Sequence, residues 1–438
     1  MNAIASELAS ILGEESALVG WDNLESATQS KIKDTLTCSH LPECLVAPHN
    51  QATLAKVISL AGKHNWQVIP CGNGSKLSWG GLVREADLVV STQNLNRIID
   101  HAVGDLTVTV EAGIKLAQLQ EKLYTTGQFL PLDPAYPQKA TLGGIISTAD
   151  TGSWRQGYGG VRDLVLGISF VRADGKIAKA GGRVVKNVAG YDLMKLLTGS
   201  YGTLGVITQV TLRTYPLPPA SQTIILTGDH TQITTAASSL LASSLTPTCG
   251  DIISESVVKK LEIGGGMGFI IRFQSIPNSV AEQCQKVQAM ADKLGLQIII
   301  KTEDQEAKVW SQLNQLINSP VTDTTITCKV GILPNAAVEF CSHLGKLTDH
   351  QGLGIINFGS GLGKLQLEQS NRIEELRDYC QKHQGFLSIL TSSAQIKSQI
   401  EPWGYAGNSL EIMRGIKKQF DPQNIFSPDR FSFIKANS

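Results

Sequence analysis

The sequence has no excess of charge of either sign: 38 lysine and arginine residues balance 38 aspartate and glutamate residues. Proteins that bind nucleic acid neutralise phosphates with clustered basic side chains, and this chain has no basic stripe. It also has no run of about 18 or more apolar residues, the length that a membrane-spanning helix needs. We therefore expect neither a nucleic-acid partner nor a transmembrane segment.

Targeting and redox signals are missing as well. Residues 1–24 have neither the basic start nor the continuous apolar core of a signal peptide, and their pattern favours a short amphipathic helix. The eight cysteines are scattered without a CxxC pair, which is typical of free thiols in a reducing compartment and gives no zinc or iron–sulfur ligand set. We expect a cytoplasmic protein, peripheral to a membrane only through partners.

Several familiar catalytic and cofactor motifs are absent. Residues 72–74 lack the third glycine of a dinucleotide fingerprint, and no acidic residue follows at the distance that a ribose ligand requires. Residues 359–365 have the wrong glycine spacing for a phosphate loop and end in leucine instead of serine or threonine. There is no HExxH and no GxSxG. The sequence motifs therefore leave the catalytic residues unknown.

What the sequence does have is glycine, concentrated in residues 141–215. Fourteen of the 42 glycines lie between positions 141 and 205, between the β-branched runs VLGISFVRA and GVITQVTLR. Glycine is favoured where the backbone takes a positive φ or closely approaches a ligand. We interpret this region as a binding surface made of main chain and carried by a rigid sheet.

A second glycine-bearing turn follows the predicted strand WQVIP, at residues 70–76. Two glycines, an asparagine and a serine in succession can direct backbone N–H groups at an anion. The same residues also suit a plain corner between a strand and a loop. The turn alone does not decide between these two interpretations.

The length of the chain predicts two domains, because single hydrophobic cores stop growing at about 250–300 residues. Three prolines within residues 216–219 favour an extended connector, and a new series of strands and helices begins beyond it. Mixed helices and strands predict an α+β fold. We divide the chain into an N-terminal helical segment (1–37), a cofactor-binding domain (38–218) and an α+β domain (219–438).

Three segments taken in order, PCGNGSK, TLGGIISTADTGSWRQGYGGVRDLVLG and GSYGTLGVITQVTL, resemble the FAD-binding domain of the vanillyl-alcohol oxidase and p-cresol methylhydroxylase (PCMH) superfamily. The resemblance covers residues 38–218. Residues 182–208 are similar to the 2-hydroxyacid branch, and the length and divergent second half resemble the smaller flavin subunit of bacterial glycolate oxidases. The resemblance implies a two-part PCMH-type domain followed by a ferredoxin-like α+β cap domain, whose C-terminal loop returns to the flavin.

The resemblance also implies where FAD lies. The turn at 70–76 and the glycine-rich segment would enclose the diphosphate through backbone N–H groups, and residues 205–207 would bind the adenine. Ser75 occupies the position at which some members carry a flavin-linking histidine, so we expect non-covalent FAD. The implied FAD-binding residues are Pro70, Cys71, Gly72, Asn73, Gly74, Ser75, Lys76, Thr141, Gly143, Gly144, Ser147, Thr148, Gly152, Tyr158, Gly159, Gly205, Val206 and Ile207.

Two family features are altered. A metal-binding HxGxGxxH motif of the 2-hydroxyacid branch aligns with residues 357–364, where Asn357 and Lys364 replace both histidines, so we predict no metal. Lys364 could hold a carboxylate or be an exposed strand lysine. The closing loop, residues 420–430, has Ser427 and Asp429 where asparagine and glycine are usual. Cations that could meet a 2-hydroxy acid are Arg155, Arg162, Arg183, Lys186 and Lys195.

The resemblance implies an FAD-dependent oxidoreductase acting on 2-hydroxy acids. Our first hypothesis is the FAD-binding subunit of a glycolate dehydrogenase complex, beside a larger catalytic flavin subunit and an iron–sulfur subunit that carries electrons away. The second hypothesis is a stand-alone dehydrogenase for a D-2-hydroxy acid. The third is an assembly subunit that holds flavin without turnover. The sequence leaves the three open.

Overall fold

The computed structural model describes residues 3–12, 17–183, 191–319, 324–404 and 407–431. The first part of the fold is a small sheet with helices packed on it. Its elements are α1 (Ala3–Ala9), β1 (Ala17–Gly20), α2 (Ser26–Lys33), β2 (Cys44–Ala47), α3 (Gln51–His64), β3 (Val68–Cys71) and β4 (Leu88–Ser91). The strand order is β1–β2–β4–β3, in which β2, β4 and β3 are parallel and β1 is antiparallel.

Helix α3 shows why this part folds as it does. Asn50 caps it by accepting a hydrogen bond of 2.8 Å from the Thr53 N–H, and Asn65 ends it in the left-handed conformation. One face buries Leu54, Val57, Ile58 and Ala61 against the sheet. Each such branched side chain contributes roughly 1.5–3 kcal/mol by leaving water.

The prediction that residues 1–37 are helical is wrong at one place. Ala17–Gly20 is an edge strand, whose four residues pair with Cys44–Ala47. A four-residue segment without alternation carries little strand signal, and here the pairing with β2 decides its conformation.

The second part of the fold is a five-stranded antiparallel sheet with a short ribbon beside it. Its elements are β5 (Ile98–Ala102), β6 (Thr107–Glu111), α4 (Leu116–Tyr124), β7 (Gln128–Phe129), α5 (Leu142–Thr148), α6 (Arg155–Tyr158), α7 (Val161–Leu164), β8 (Val165–Val171), β9 (Ile177–Gly181), α8 (Leu193–Leu197), β10 (Val206–Arg213) and β11 (Tyr215–Pro216). The sheet order is β5–β6–β10–β8–β9, and β7 pairs with β11. Helices α4 and α5 share a core with β6, β8 and β10.

The third part, which we call the cap sheet, has eight strands. Its elements are β12 (Ala220–Gly228), α9 (His230–Leu241), β13 (Cys249–Ile253), α10 (Glu255–Leu261), β14 (Met267–Ser275), α11 (Pro277–Leu294), β15 (Gln297–Lys301), α12 (Glu303–Ile317), β16 (Ile326–Gly331), α13 (Ala337–Leu347), β17 (Leu353–Asn357), β18 (Leu362–Leu367), α14 (Ile373–Lys382) and β19 (Phe386–Thr391). The order is β15–β12–β14–β13–β17–β18–β16–β19, and every recorded pair is antiparallel. Helices α9, α11, α13 and α14 pack on one face.

The chain then returns to the first sheet. Helices α15 (Ala394–Gln399) and α16 (Leu410–Phe420) lead into a loop whose Ile425 and Phe426 are fully buried in the first core. The Ser427 N–H donates a hydrogen bond of 2.9 Å to the Val68 carbonyl, so the loop runs alongside β3. The predicted α+β fold class is confirmed. None of the helices in the described part of the chain is long and apolar enough to cross a bilayer.

Candidate functional site

The turn after β3, residues 72–78, presents backbone donors to an open cleft. β3 ends at Cys71, and Gly74 has φ +66°, a conformation that side chains disfavour. Among the described residues, no hydrogen bond is donated by the backbone N–H groups of residues 73–77. Buried or cleft-lining N–H groups normally have a partner, so this run of free donors indicates an anionic ligand.

The opposite wall of the cleft is the start of α5. The Thr141 hydroxyl caps this helix by accepting a hydrogen bond of 3.3 Å from the Gly144 N–H. A Cβ at Gly72 would overlap the Thr141 hydroxyl oxygen, and one at Gly143 would press on Ala112. Glycine therefore lets the turn and the helix approach each other closely enough to form a narrow cleft.

Fifteen of the eighteen predicted FAD-binding residues line this one cleft. They come from three sequence-distant segments, as the resemblance implied. They are Pro70, Cys71, Gly72, Asn73, Gly74, Ser75, Lys76, Thr141, Gly143, Gly144, Ser147, Thr148, Gly205, Val206 and Ile207. Their contact with FAD stays a prediction, which the shape and the free donors of the cleft support.

The other three predicted residues lie elsewhere. Gly152 faces the Asp133 carboxylate, which a Cβ at position 152 would overlap. Tyr158 packs edge-on against the rings of Phe129 and Tyr215, and Gly159 (φ +78°) turns the chain after α6. Their glycine-rich context made them resemble cleft residues, but their positions serve the neighbouring cavity and the local packing.

Sequence reasoning missed Arg430, which also lines the cleft. Its guanidinium is buried and donates to the carbonyls of Leu77 and Trp79, the latter at 2.7 Å. Burial lowers the pKa of Arg430 to about 10. The resemblance of residues 420–430 to a returning loop was the only available signal.

A cavity of about 850 Å³ adjoins the cleft, and Thr148 lines both. Its walls come from the second part of the fold and from the cap sheet. The polar residues on these walls include Glu121, Asp133, Asp150, Ser153, Arg155, Asp251, Arg272, Asn318, Lys329, Asn357 and Lys364. A cavity of this size, open to a cleft that suits a dinucleotide, has room for a flavin ring and a small substrate.

Asp150 joins both sides of the cavity. One of its oxygens lies 2.8 Å from the Lys76 ammonium, and the other lies 3.0 Å from the Lys364 ammonium. The Ala135 N–H donates to Asp150 as well, at 2.8 Å. Burial would raise the pKa of Asp150, but Lys364 and Lys76 outweigh it and hold that pKa well below its ordinary value. Burial lowers the pKa of Lys76, and Asp150 opposes this shift.

The interpretation of Lys364 as an exposed strand lysine is wrong. The Lys364 side chain is only 15% exposed. In addition to its ion pair with Asp150, it donates a hydrogen bond of 3.0 Å to the Asn318 side-chain oxygen. Both Lys364 and Lys76 lie 5.1 Å from the ring centroid of Trp79. The strand period did not reveal this, because alternation identifies a face of β18 and not what covers it.

Of the five cations proposed from the sequence, Arg155 lines the cavity. Arg162 is exposed, Arg183 pairs with Asp100 on the surface, and Lys195 pairs with Asp192. Lys186 lies outside the described residues. Sequence reasoning missed Lys329, which lies opposite Lys364 in the β16–β18 pair and also lines the cavity.

Two buried carboxyl groups form the other end of the cavity wall. Asp133 accepts a hydrogen bond of 2.7 Å from the Ser153 N–H, and one oxygen each of Asp133 and Asp251 has no partner among the described residues. Burial raises the pKa of Asp133 to about 7 and that of Asp251 to about 6. Carboxyl groups of this kind can exchange a proton near neutral pH.

Two segments of the chain match families of FAD-binding proteins. Residues 42–181 match a family model described as "FAD binding domain", and residues 399–431 match "FAD linked oxidases, C-terminal domain". The fold aligns with p-cresol methylhydroxylase over 99% of this chain and 97% of that one, with a TM-score of 0.76 at 14% identity. Residues 42–181 therefore form an FAD-binding domain, and the chain as a whole has the fold of p-cresol methylhydroxylase. FAD is its cofactor, and the prediction of an FAD-dependent oxidoreductase is confirmed.

Relatives of this chain include two that match over most of their length. The glycolate oxidase subunit GlcD of Bacillus subtilis is 24% identical and covers 89% of each chain. The D-lactate dehydrogenase of Archaeoglobus fulgidus is 26% identical and covers 88% of this chain and 90% of its own. The glycolate oxidase subunit GlcE of Escherichia coli is 37% identical, over 41% of this chain and 50% of its own.

The residues present in the cleft fit FAD. A diphosphate carries negative charge, and the free N–H groups of residues 73–77 are matched to it without any side chain having to be ordered. Ser75, at the position of a flavin-linking histidine in some PCMH-type proteins, lines the cleft. Within the described residues, no cluster of three or more histidine, cysteine or acidic side chains is arranged to hold a metal ion.

Proposed function

We propose that this chain oxidises a 2-hydroxy acid to the 2-oxo acid, with glycolate to glyoxylate as the leading case. The oxidation removes a hydride from the α-carbon, for which bound FAD would be the acceptor, and a proton from the hydroxyl group. The electrons would then leave through a partner. The observation that carries this proposal is the continuity between the donor-lined cleft and a polar cavity whose lining includes four cations, Arg155, Arg272, Lys329 and Lys364. The 2-hydroxy acid is an anion and needs such a cavity.

FAD, when bound, supplies the acceptor for the hydride. The turn at residues 72–78 and the start of α5 would hold the diphosphate. Thr148 lies where the cleft opens into the cavity. The cations of the cavity orient the acid, and Asp133 and Asp251 are the carboxyl groups placed to take up a proton.

The relatives support this substrate class. Their names include glycolate oxidase subunits, D-lactate dehydrogenases and D-2-hydroxyglutarate dehydrogenases. The match to GlcE supports a subunit role, in which a larger flavin subunit and an iron–sulfur subunit are the partners. We propose that this complex is cytoplasmic and peripheral to a membrane through its partners. We also propose that the domain boundaries of this chain lie after residues 37 and 218.

The second candidate is a stand-alone D-2-hydroxyacid dehydrogenase. It is favoured by the alignment of D-lactate dehydrogenases over about nine-tenths of the chain and by a cavity whose walls this single chain supplies. A cofactor-holding assembly subunit without turnover is the third.

One experiment tests all three. The purified chain, loaded with FAD, is mixed anaerobically with glycolate or D-lactate while the flavin absorbance is followed. Bleaching by the chain alone supports the stand-alone dehydrogenase, and bleaching that requires the partner subunits supports the complex. No bleaching under either condition contradicts both oxidation proposals and leaves the assembly role.

A further inference from the structure

Two cations in the cavity have no bonding partner within the described part of the chain. The Lys329 ammonium and the Arg155 guanidinium make no hydrogen bond or ion pair with any described residue, although both side chains are at least half-buried and line the cavity. In contrast, Lys364 is held by Asp150 and Asn318. Two half-buried cations that line one cavity and lack a partner among the described residues indicate that an anionic ligand occupies this cavity.

The local balance of charge points the same way. Lys76 and Lys364 share the single carboxylate of Asp150, so that carboxylate is already engaged twice. Lys329 lies directly across the β16–β18 pair from Lys364 and adds a further positive charge on the same face. Burial lowers the pKa of Lys329. Asp150 opposes this shift, and Arg155 and Lys364 add to it. A bound anion would relieve this repulsion.

We propose that Lys329 and Arg155 together bind the carboxylate of the 2-hydroxy acid, and that Asp150 and Asn318 position Lys364 beside it. This inference rests on the proposed function for the identity of the acid. The guanidinium offers a planar fork that suits a carboxylate, and the ammonium offers a point charge from the other side. Arg155 belongs to α6 and Lys329 to the cap sheet, so the substrate is clamped between two parts of the fold.

The test measures binding without turnover. Oxalate resembles a 2-hydroxy acid but has no hydrogen on carbon to transfer, and it is titrated calorimetrically into the FAD-loaded protein. Loss of one charge-assisted hydrogen bond is worth about 1.5–3 kcal/mol, so Lys329→Met and Arg155→Met should each raise the oxalate Kd roughly 10- to 150-fold. Lys329→Arg should restore most of the binding.

Lys176→Met is the matched control, because Lys176 lies in the turn before β9 with a side chain that is 79% exposed. Its oxalate Kd should stay at the wild-type value. The FAD content of each variant is measured by absorbance. A Kd that is unchanged in both cavity variants, a wild-type protein that binds no oxalate, or loss of FAD from the cavity variants would overturn the proposal.

Steady-state or rapid-reaction kinetics then separate this inference from the proposed function. If an acid bleaches the flavin of the wild type, Lys329→Met should raise the KM for that acid more than it lowers kcat. An unchanged KM overturns the carboxylate assignment while the oxidation proposal stands. Oxalate binding that depends on Lys329 and Arg155, without bleaching by any acid, supports the binding site and contradicts the oxidation.

Discussion

Gly72 sets the width of the cofactor cleft. A methyl group at this position would overlap the Thr141 side chain, which caps α5 on the other wall. We expect Gly72→Ala to displace that cap and to lower the affinity for FAD at least tenfold, measured by titrating the apoprotein with FAD. Gly104→Ala is the control, because open space surrounds Gly104 and its φ is not positive. Equal FAD affinities in the two variants would contradict this account.

Asp133 gives a prediction about pH. Burial raises its pKa from 3.8 to about 7, so between pH 4 and 7 the folded chain keeps a proton that the unfolded chain has released. The contribution of Asp133 to stability is therefore present at low pH and is lost as pH rises towards 7, by about 1.4 kcal/mol for each pH unit between the unfolded and folded pKa values. Asp133→Asn should be more stable relative to wild type at pH 8 than at pH 5.

Chemical denaturation at the two pH values measures this difference. Asp174→Asn, at an exposed aspartate in a turn, is the control and should show the same difference from wild type at both. If Asp133→Asn also shows the same difference at both, Asp133 does not carry the raised pKa.

Single residues differed in how far the sequence revealed them. The sequence revealed the glycines of the cleft because clusters of glycine are uncommon outside turns and binding loops. Three such clusters in a fixed order are specific for the FAD-binding domain that the sequence resembles. Lys329 and Asp150 were missed because nothing local separates a lysine or an aspartate that faces a cavity from one that faces water. Their partners lie in other parts of the chain, 214 positions apart in the case of Asp150 and Lys364.

At the scale of elements, strands with β-branched runs were found and short buried ones were not. The apolar, β-branched runs of β12, β14 and β16 are typical of strands. Sequence reasoning missed β13 (Cys249–Ile253), whose first residues include glycine and aspartate, both depleted in strands. That strand is central in the cap sheet and pairs on both sides, so tertiary pairing outweighs propensity. It is also the strand that brings Asp251 to the cavity.

The C-terminal loop holds the glycine turn in place through Arg430. The Arg430 guanidinium donates hydrogen bonds to the carbonyls of Leu77 and Trp79. The backbone carbonyl of Arg430 accepts a hydrogen bond of 2.8 Å from the Trp403 indole N–H. Arg430→Met leaves the two buried carbonyls without these donors. We expect a loss of about 2–4 kcal/mol in the free energy of unfolding, and a weaker affinity for FAD.

Urea unfolding and FAD titration measure the two effects of Arg430→Met. Arg162→Met, at an exposed arginine on helix α7 and outside the cleft lining, serves as the comparison for loss of an arginine charge. Comparable losses of stability and FAD affinity in both variants would mean that the loop does not support the turn.

At the scale of the whole molecule, the architecture of layers was predictable and the site between them was not. The proline-rich stretch at residues 216–219 lies at the junction of β11 and β12. The cavity, in contrast, is formed by side chains from both sides of that connector. No pattern within either half specifies how they face each other. The resemblance to a family predicted the cofactor, but the changes at Asn357 and Lys364 left the substrate side open.

Asp150 connects the turn after β3 to the cap sheet, because it forms ion pairs with Lys76 from that turn and with Lys364 from the cap sheet. Asp150→Asn leaves both buried ammonium groups without their charge partner and should cost about 3–5 kcal/mol of unfolding free energy at pH 7. Since the pKa of Asp150 is depressed, its contribution to stability is present above about pH 4 and is lost only in stronger acid.

Urea unfolding of Asp150→Asn, Lys364→Met and the double variant measures this contribution to stability. We expect the double variant to lose less stability than the sum of the single variants, because it leaves one unpaired ammonium group instead of two. Additive losses would mean that the bridge does not couple the two parts of the fold.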